Sequence, residues 1–173
     1  MNYGEIKKTD IANGPGVRVS LFVSGCTHHC KCCFNPDTWS FAYGNPFTQE
    51  TAAEIMEALK PAYISGLTLL GGEPMEPQNQ EALLHLVKQV KEAYPQKSIW
   101  CYTGYTFESD ILQRMYQERS VTRELLSYMV VLVDGEFIEA QKNISLQFRG
   151  SANQRIIDVQ ASLAGSSTVV WRG

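Results

Sequence analysis

The sequence predicts an α/β fold with a mostly parallel sheet, and three observations lead there. Short apolar runs rich in β-branched residues alternate with segments whose apolar residues recur at three- and four-residue spacing. Turn residues close these runs, as at Gly71-Gly72, Gly104 and Asp134-Gly135. The chain has 173 residues, the length of one domain, whereas a closed eight-unit barrel typically needs about 250. An open or partial barrel, or an open sheet, is therefore expected, organised as a single domain over residues 1–173.

Residues 4–16 contain Gly4, Gly14, Pro15 and Gly16 and read as a loop entering the first strand. Arg18 to Val23 is that strand, buried by its composition. A cysteine loop follows, then an irregular aromatic segment with Trp39, Phe41, Tyr43 and Phe47, expected to cover it. Thr48 is a good N-cap for a helix over 49–60, where Ala52, Ile55, Met56 and Leu59 form one apolar face. Gly66 to Leu70 is a second strand, and a second helix covers 78–93. Ser98 to Thr103 is a third strand, residues 108–127 are helical in two pieces, and Tyr128 to Val133 is a fourth strand. Lys142 to Arg149 alternates, Arg155 to Val159 is a short apolar run, and Ser167 to Trp171 is a candidate last strand.

Strands alternating with helices imply βαβ units, whose right-handed crossovers bring the loops after each strand to one edge. That edge gathers the cysteine loop, Gly71-Gly72-Glu73, Thr103-Gly104 and Asp134-Gly135, where ligands of such sheets bind.

Net charge is −3 and no basic run occurs, so nucleic acid is not an expected partner. No apolar run approaches the roughly 18 residues a membrane span needs. Met1 to Asp10 is polar, so no signal peptide is expected and the cytoplasm is the expected compartment. Clustered cysteines in a reducing compartment read as metal ligands or catalytic groups before disulfides.

Four of the five cysteines lie between Cys26 and Cys33, with the spacing Cys26-x3-Cys30-x2-Cys33. Three thiolates on one loop can hold three corners of an iron–sulfur cubane, leaving one iron open. The competing reading is a structural zinc site of Cys26, Cys30 and Cys33 with His28 or His29. Adjacent side chains on a tight loop are hard to aim at one tetrahedron, which favours the cluster. Cys32 reads as a non-ligand, Cys101 as a buried strand residue, and His28 and His29 as exposed loop residues or donors to sulfide. Gly71-Gly72-Glu73-Pro74 is a second constellation: its glycines let the backbone approach a ligand, and the carboxylate can accept from an ammonium group.

The cysteine loop after one strand, with Gly-Gly-Glu-Pro after the next, resembles the radical S-adenosylmethionine superfamily. Four further stretches narrow the resemblance: Asn13 to Arg18, Cys33 to Trp39, Val131 to Phe137 and Arg149 to Asp158. Together they resemble the activating proteins of anaerobic (class III) ribonucleoside-triphosphate reductase. The resemblance implies a partial (open) β/α barrel of the radical SAM type. It implies a [4Fe–4S] cluster on Cys26, Cys30 and Cys33 whose free iron chelates S-adenosylmethionine. Gly72 and Glu73 would contact the methionine amino group, with Cys32 and Phe34, flanking Cys33, on the adenosine side. The implied chemistry is reductive cleavage of S-adenosylmethionine to a 5′-deoxyadenosyl radical, which abstracts hydrogen from a backbone glycine of the reductase. An electron donor such as a flavodoxin or ferredoxin is implied too.

Two alternatives stand beside this reading: an activase of another glycyl-radical enzyme, and a small zinc-binding interaction module. Trp39 and Phe41 read as cover, Asp134 as a turn residue, and Arg149 and Asn153 either as turn caps or as partner or cofactor contacts. Tyr102 and Thr103 lie at a strand end on the cofactor edge.

Overall fold

The structure, a computed structural model, describes residues 1–165 and 167–173. One eight-stranded sheet carries the fold, formed by β1 (Asn2–Asp10), β2 (Val17–Val23), β3 (Asn45–Pro46), β4 (Ile64–Gly71), β5 (Ser98–Tyr102), β6 (Val131–Asp134), β7 (Arg155–Asp158) and β8 (Val169–Val170). Their order is β3-β1-β2-β4-β5-β6-β7-β8. The central strands β2, β4, β5 and β6 are parallel, and both flanks are antiparallel.

The parallel centre follows from the sequence. Its strands are short apolar runs, and between them lie α1 (Gln49–Leu59), α2 (Pro77–Ala93), a wider π-helical segment Phe107–Met115, α3 (Tyr116–Glu118) and α4 (Ser120–Tyr128). Thr48 caps α1 through a capping box with Thr51. Tyr128 ends α4 rather than starting β6.

Other expectations are corrected. Residues 2–10 form a strand, not a loop. β1 is polar and largely solvated, so periodicity does not announce it; it exists because β2 offers it an antiparallel partner. Residues 142–149 form no strand; a short 3₁₀ turn (Glu139–Gln141) and one bridge, Lys142 to Ser151, stand there. After β7 the chain forms α5 (Val159–Ala164), capped by Asp158.

Alternate residues of the strands divide the core. Val19, Leu21, Val23, Leu67, Leu69, Ile99, Cys101 and Leu132 pack with residues of α1, α2 and α4. Trp100, Val131 and Val133 form a second cluster with Tyr102, Phe148, Ile156 and Trp171. Arg18, fully buried, belongs to that second side. Its guanidinium donates to Thr68 Oγ1 (2.7 Å), Ser98 Oγ (2.9 Å) and the carbonyls of Leu67 and Ser98, and lies over Trp100. No helix of the described residues is long and apolar enough to cross a membrane.

Candidate functional site

The carboxyl ends of the parallel strands open into a cavity of about 480 Å³. Cys26, Cys30 and Cys33 line it, together with Gly71, Gly72 and Glu73. β2 delivers the first thiol: Gly25 leaves the strand with φ 97°, and a Cβ there would lie 2.1 Å from the Phe41 ring. His29 (φ 52°) and Cys32 (φ 57°) then take left-handed backbone, curling the loop so that Cys33 N–H donates to Cys30 O. The Asn35 amide lies 3.4 Å from Cys33 Sγ, a donor aimed at sulfur.

The glycine loop is stitched directly to this one. Gly72 N–H donates to Val23 O and Glu73 N–H to Gly25 O, each at 2.8 Å. A side chain at Gly72 would meet the Gly25 carbonyl at 2.7 Å, so the close approach requires glycine. Glu73 is 1% exposed, with Oε1 accepting from Met75 N–H (2.8 Å) and Oε2 from Gly104 N–H (2.7 Å). Two residues of the α2 start brace the assembly. Glu76 accepts from the Thr27 amide and hydroxyl, and the Asn79 amide donates to the carbonyls of Ser24 and Glu73.

Burial pushes the Cys26 thiol up to about 11 and also raises that of Cys30. A metal that bound these thiols would have to displace their protons. Cys101 lies fully buried in β5, and burial raises its thiol well above the ordinary value.

The structure does not bring Cys32 to the cavity. Its left-handed backbone turns the thiol outward, where Sγ donates to Glu139 Oε1 at 2.9 Å. Phe34 does line the cavity, at its mouth, against Phe137 with ring centroids 4.9 Å apart. Trp39 lines it as well, stacked on His29 at 4.7 Å. Arg149 donates to the Gln154 carbonyl within its turn, and Asn153 to the Glu136 carbonyl. Asp134 is more than a turn residue: buried, it pairs with Arg155 and accepts from Phe107 N–H.

His28, expected to be an exposed loop residue or a donor to sulfide, is instead covered and faces two carboxylates. Its side chain is 9% exposed, with Nδ1 2.8 Å from Glu136 Oε1 and Nε2 3.2 Å from Glu73 Oε2. Burial would lower its pKa, but the two carboxylates outweigh that and raise it to about 9. With both ring nitrogens facing carboxylates, His28 is not placed as a zinc ligand. Among the described residues no three His, Cys, Asp or Glu side chains converge as a single-ion site would need. Three thiols spread around one cavity suit a cluster, in which each thiolate takes its own iron.

A thiol-lined loop at the carboxyl edge of a parallel sheet is the arrangement of an iron–sulfur protein. Residues 12–157 match the family model described as a 4Fe-4S single cluster domain. The chain is 48% identical to an anaerobic ribonucleoside-triphosphate reductase-activating protein of Vibrio cholerae, over 90% of this chain and 97% of that protein. Proteins of the same name in Enterobacteria phage T4 and Escherichia coli K12 are 45% and 39% identical, over 90% and 89% of this chain and 93% and 96% of theirs. The chain belongs to the family of anaerobic ribonucleoside-triphosphate reductase-activating proteins.

Proposed function

We propose that this protein is a radical S-adenosylmethionine activase that installs a glycyl radical on anaerobic ribonucleoside-triphosphate reductase. The observation that carries the reading is the junction of the two loops: three thiols and a buried carboxylate line one cavity, joined by the hydrogen bonds of Gly72 and Glu73. The sheet is then read as a partial barrel of the radical SAM type, open beside the cavity, with residues 1–173 forming one such domain.

Cys26, Cys30 and Cys33 would hold the [4Fe–4S] cluster, with no protein ligand on the fourth iron. Bound together, the cluster and S-adenosylmethionine supply a one-electron reductive cleavage whose product removes a hydrogen atom from the partner's glycine. Glu73, its carboxylate fixed by two backbone amides, accepts from the cofactor's ammonium group, and Gly72 lets the backbone come close to it. Phe34, with Phe137 against it, forms an apolar lip on the adenosine side and excludes water from the mouth. The Asn35 amide donates towards Cys33 Sγ, one of the levers that set a cluster's potential. A flavodoxin or ferredoxin in the cytoplasm would supply the electron.

The direct test incubates the reconstituted protein anaerobically with its reductase, S-adenosylmethionine and a reductant. A glycyl-radical EPR doublet on the reductase is the expected result. Its absence, with the cluster intact and S-adenosylmethionine consumed, would assign the chemistry to another substrate.

A further inference from the structure

We infer that His28 is a positioning residue that fixes the Glu73 carboxylate and, through it, the binding of the sulfonium cofactor's ammonium group. The inference rests on the activase reading for the identity of that cofactor. His28 lies between two of the cluster cysteines in sequence, yet its ring is held by three other parts of the fold. Nε2 faces Glu73 Oε2 at 3.2 Å and Nδ1 faces Glu136 Oε1 at 2.8 Å. The ring stands edge-on to Tyr105, with centroids 4.4 Å apart. It also packs against Gly104, where a Cβ would lie 2.7 Å from the ring. Gly104 is therefore the residue that admits the ring, and its amide holds the same carboxylate oxygen that His28 faces.

The need for this support comes from burial. Glu73 is 1% exposed, and a buried carboxylate is costly unless its oxygens are satisfied. One backbone amide reaches each oxygen, and among the described residues His28 alone brings a basic side chain within ion-pair distance of it. A binding group must be held within about 0.5 Å of its productive position to be effective. The His28 ring is also a wall shared by the cofactor cavity and a second, acidic cavity of about 640 Å³ lined by Glu108, Asp110 and Glu136. Removing the ring therefore loosens Glu73 and opens its carboxylate to that second space.

The test measures S-adenosylmethionine affinity by EPR titration of the reduced cluster in reconstituted parent, His28→Ala, His28→Gln, Glu73→Gln and the His28→Ala/Glu73→Gln double variant. His28→Ala is expected to keep its iron and to bind the cofactor roughly ten- to a hundredfold more weakly, the scale of one charged contact removed from a buried carboxylate. His28→Gln, which retains an N–H donor, should recover part of the loss. In the Glu73→Gln background, removing His28 should cost less than about twofold, because His28 acts through Glu73. Gly104→Ala, which crowds the ring out while leaving both donors in the chain, should weaken binding in the same direction.

Parent-like affinity in His28→Ala, or fully additive losses in the double variant, would overturn the inference while leaving the activase reading in place. Loss of iron in both His28 variants would overturn it too, by assigning the ring to the cluster loop instead. A parent protein whose signal ignores S-adenosylmethionine would overturn the cofactor reading and this inference together.

Discussion

The face of the sheet beneath the helices and the face that lines the cavity are made from alternate residues of the same strands. On β2, Val19, Leu21 and Val23 pack into the helix-side core, while Arg18, Ser20 and Phe22 serve the other side. On β5, Ile99 and Cys101 face the helices, and Trp100 and Tyr102 the opposite cluster. The helix side is held mainly by apolar packing, with one buried polar pair in which Thr122 Oγ1 donates to Gln80 Oε1. The cavity side buries a guanidinium, a carboxylate with its hydroxyl and amide donors at Asp10, and the polar Thr68. Chemistry is thus confined to one side of a single layer of backbone, and substitutions at the cavity edge should fail differently from those in the core of either face.

The largest effect belongs to the cavity edge. Cys26→Ala, Cys30→Ala or Cys33→Ala should each abolish cluster uptake and activation, taking iron from about four per chain to near zero, with little change in circular dichroism. Loss of iron in Cys32→Ala, with retention in Cys33→Ala, would break the assignment of ligands.

On the helix side, Leu69→Ala should cost roughly 2–5 kcal/mol of unfolding free energy by leaving a cavity, while the folded fraction still takes up iron. Arg18→Met sits on the other side and should cost about 1.5–3 kcal/mol, because the hydrogen bonds from the buried charge to Thr68, Ser98 and the Leu67 carbonyl are lost. Denaturant titration checks both; a stabilised Arg18→Met would mean that the polar side is held by shape rather than by hydrogen bonds.

A smaller effect marks the antiparallel flank. Arg155 holds Glu108 and Asp134, and its hydrogen bonds lower the Glu108 carboxyl from its ordinary 4.5 to about 2. A carboxyl depressed in the folded state stabilises fully above its unfolded pKa and loses that contribution as pH falls through the folded one. The stability gap between parent and Glu108→Gln should therefore be constant above about pH 4.5 and close towards pH 2. A gap that stays open at pH 2 would contradict the pairing. Smallest of all, Cys32→Ala and Cys101→Ala should leave iron content unchanged, since one thiol faces solvent at Glu139 and the other is buried in β5.

The sequence spoke most clearly where local pattern and tertiary role coincide. The parallel strands are short, largely apolar runs, the Thr48 cap is a short-range device, and the three cysteines picked out by their spacing line one cavity. What was silent depends on distant partners. β1 is too polar to declare itself and exists through its pairing with β2. His28 meets Glu136 from 108 positions away, and Thr27 meets Glu76 from 49, so neither contact leaves a local signature. Cys32, which the family resemblance put on the adenosine side, is turned outward to Glu139 by its own left-handed backbone.

The central claim is that the thiol loop and the Glu73 carboxylate form one cofactor site on the cavity side of the sheet. Anaerobic reconstitution with iron and sulfide, followed by EPR of the reduced protein with and without S-adenosylmethionine, tests it directly. The account predicts a brown protein with about four irons per chain and a cluster signal that changes when S-adenosylmethionine is added. Stoichiometric zinc with no iron uptake, or a cluster signal indifferent to S-adenosylmethionine, would contradict it.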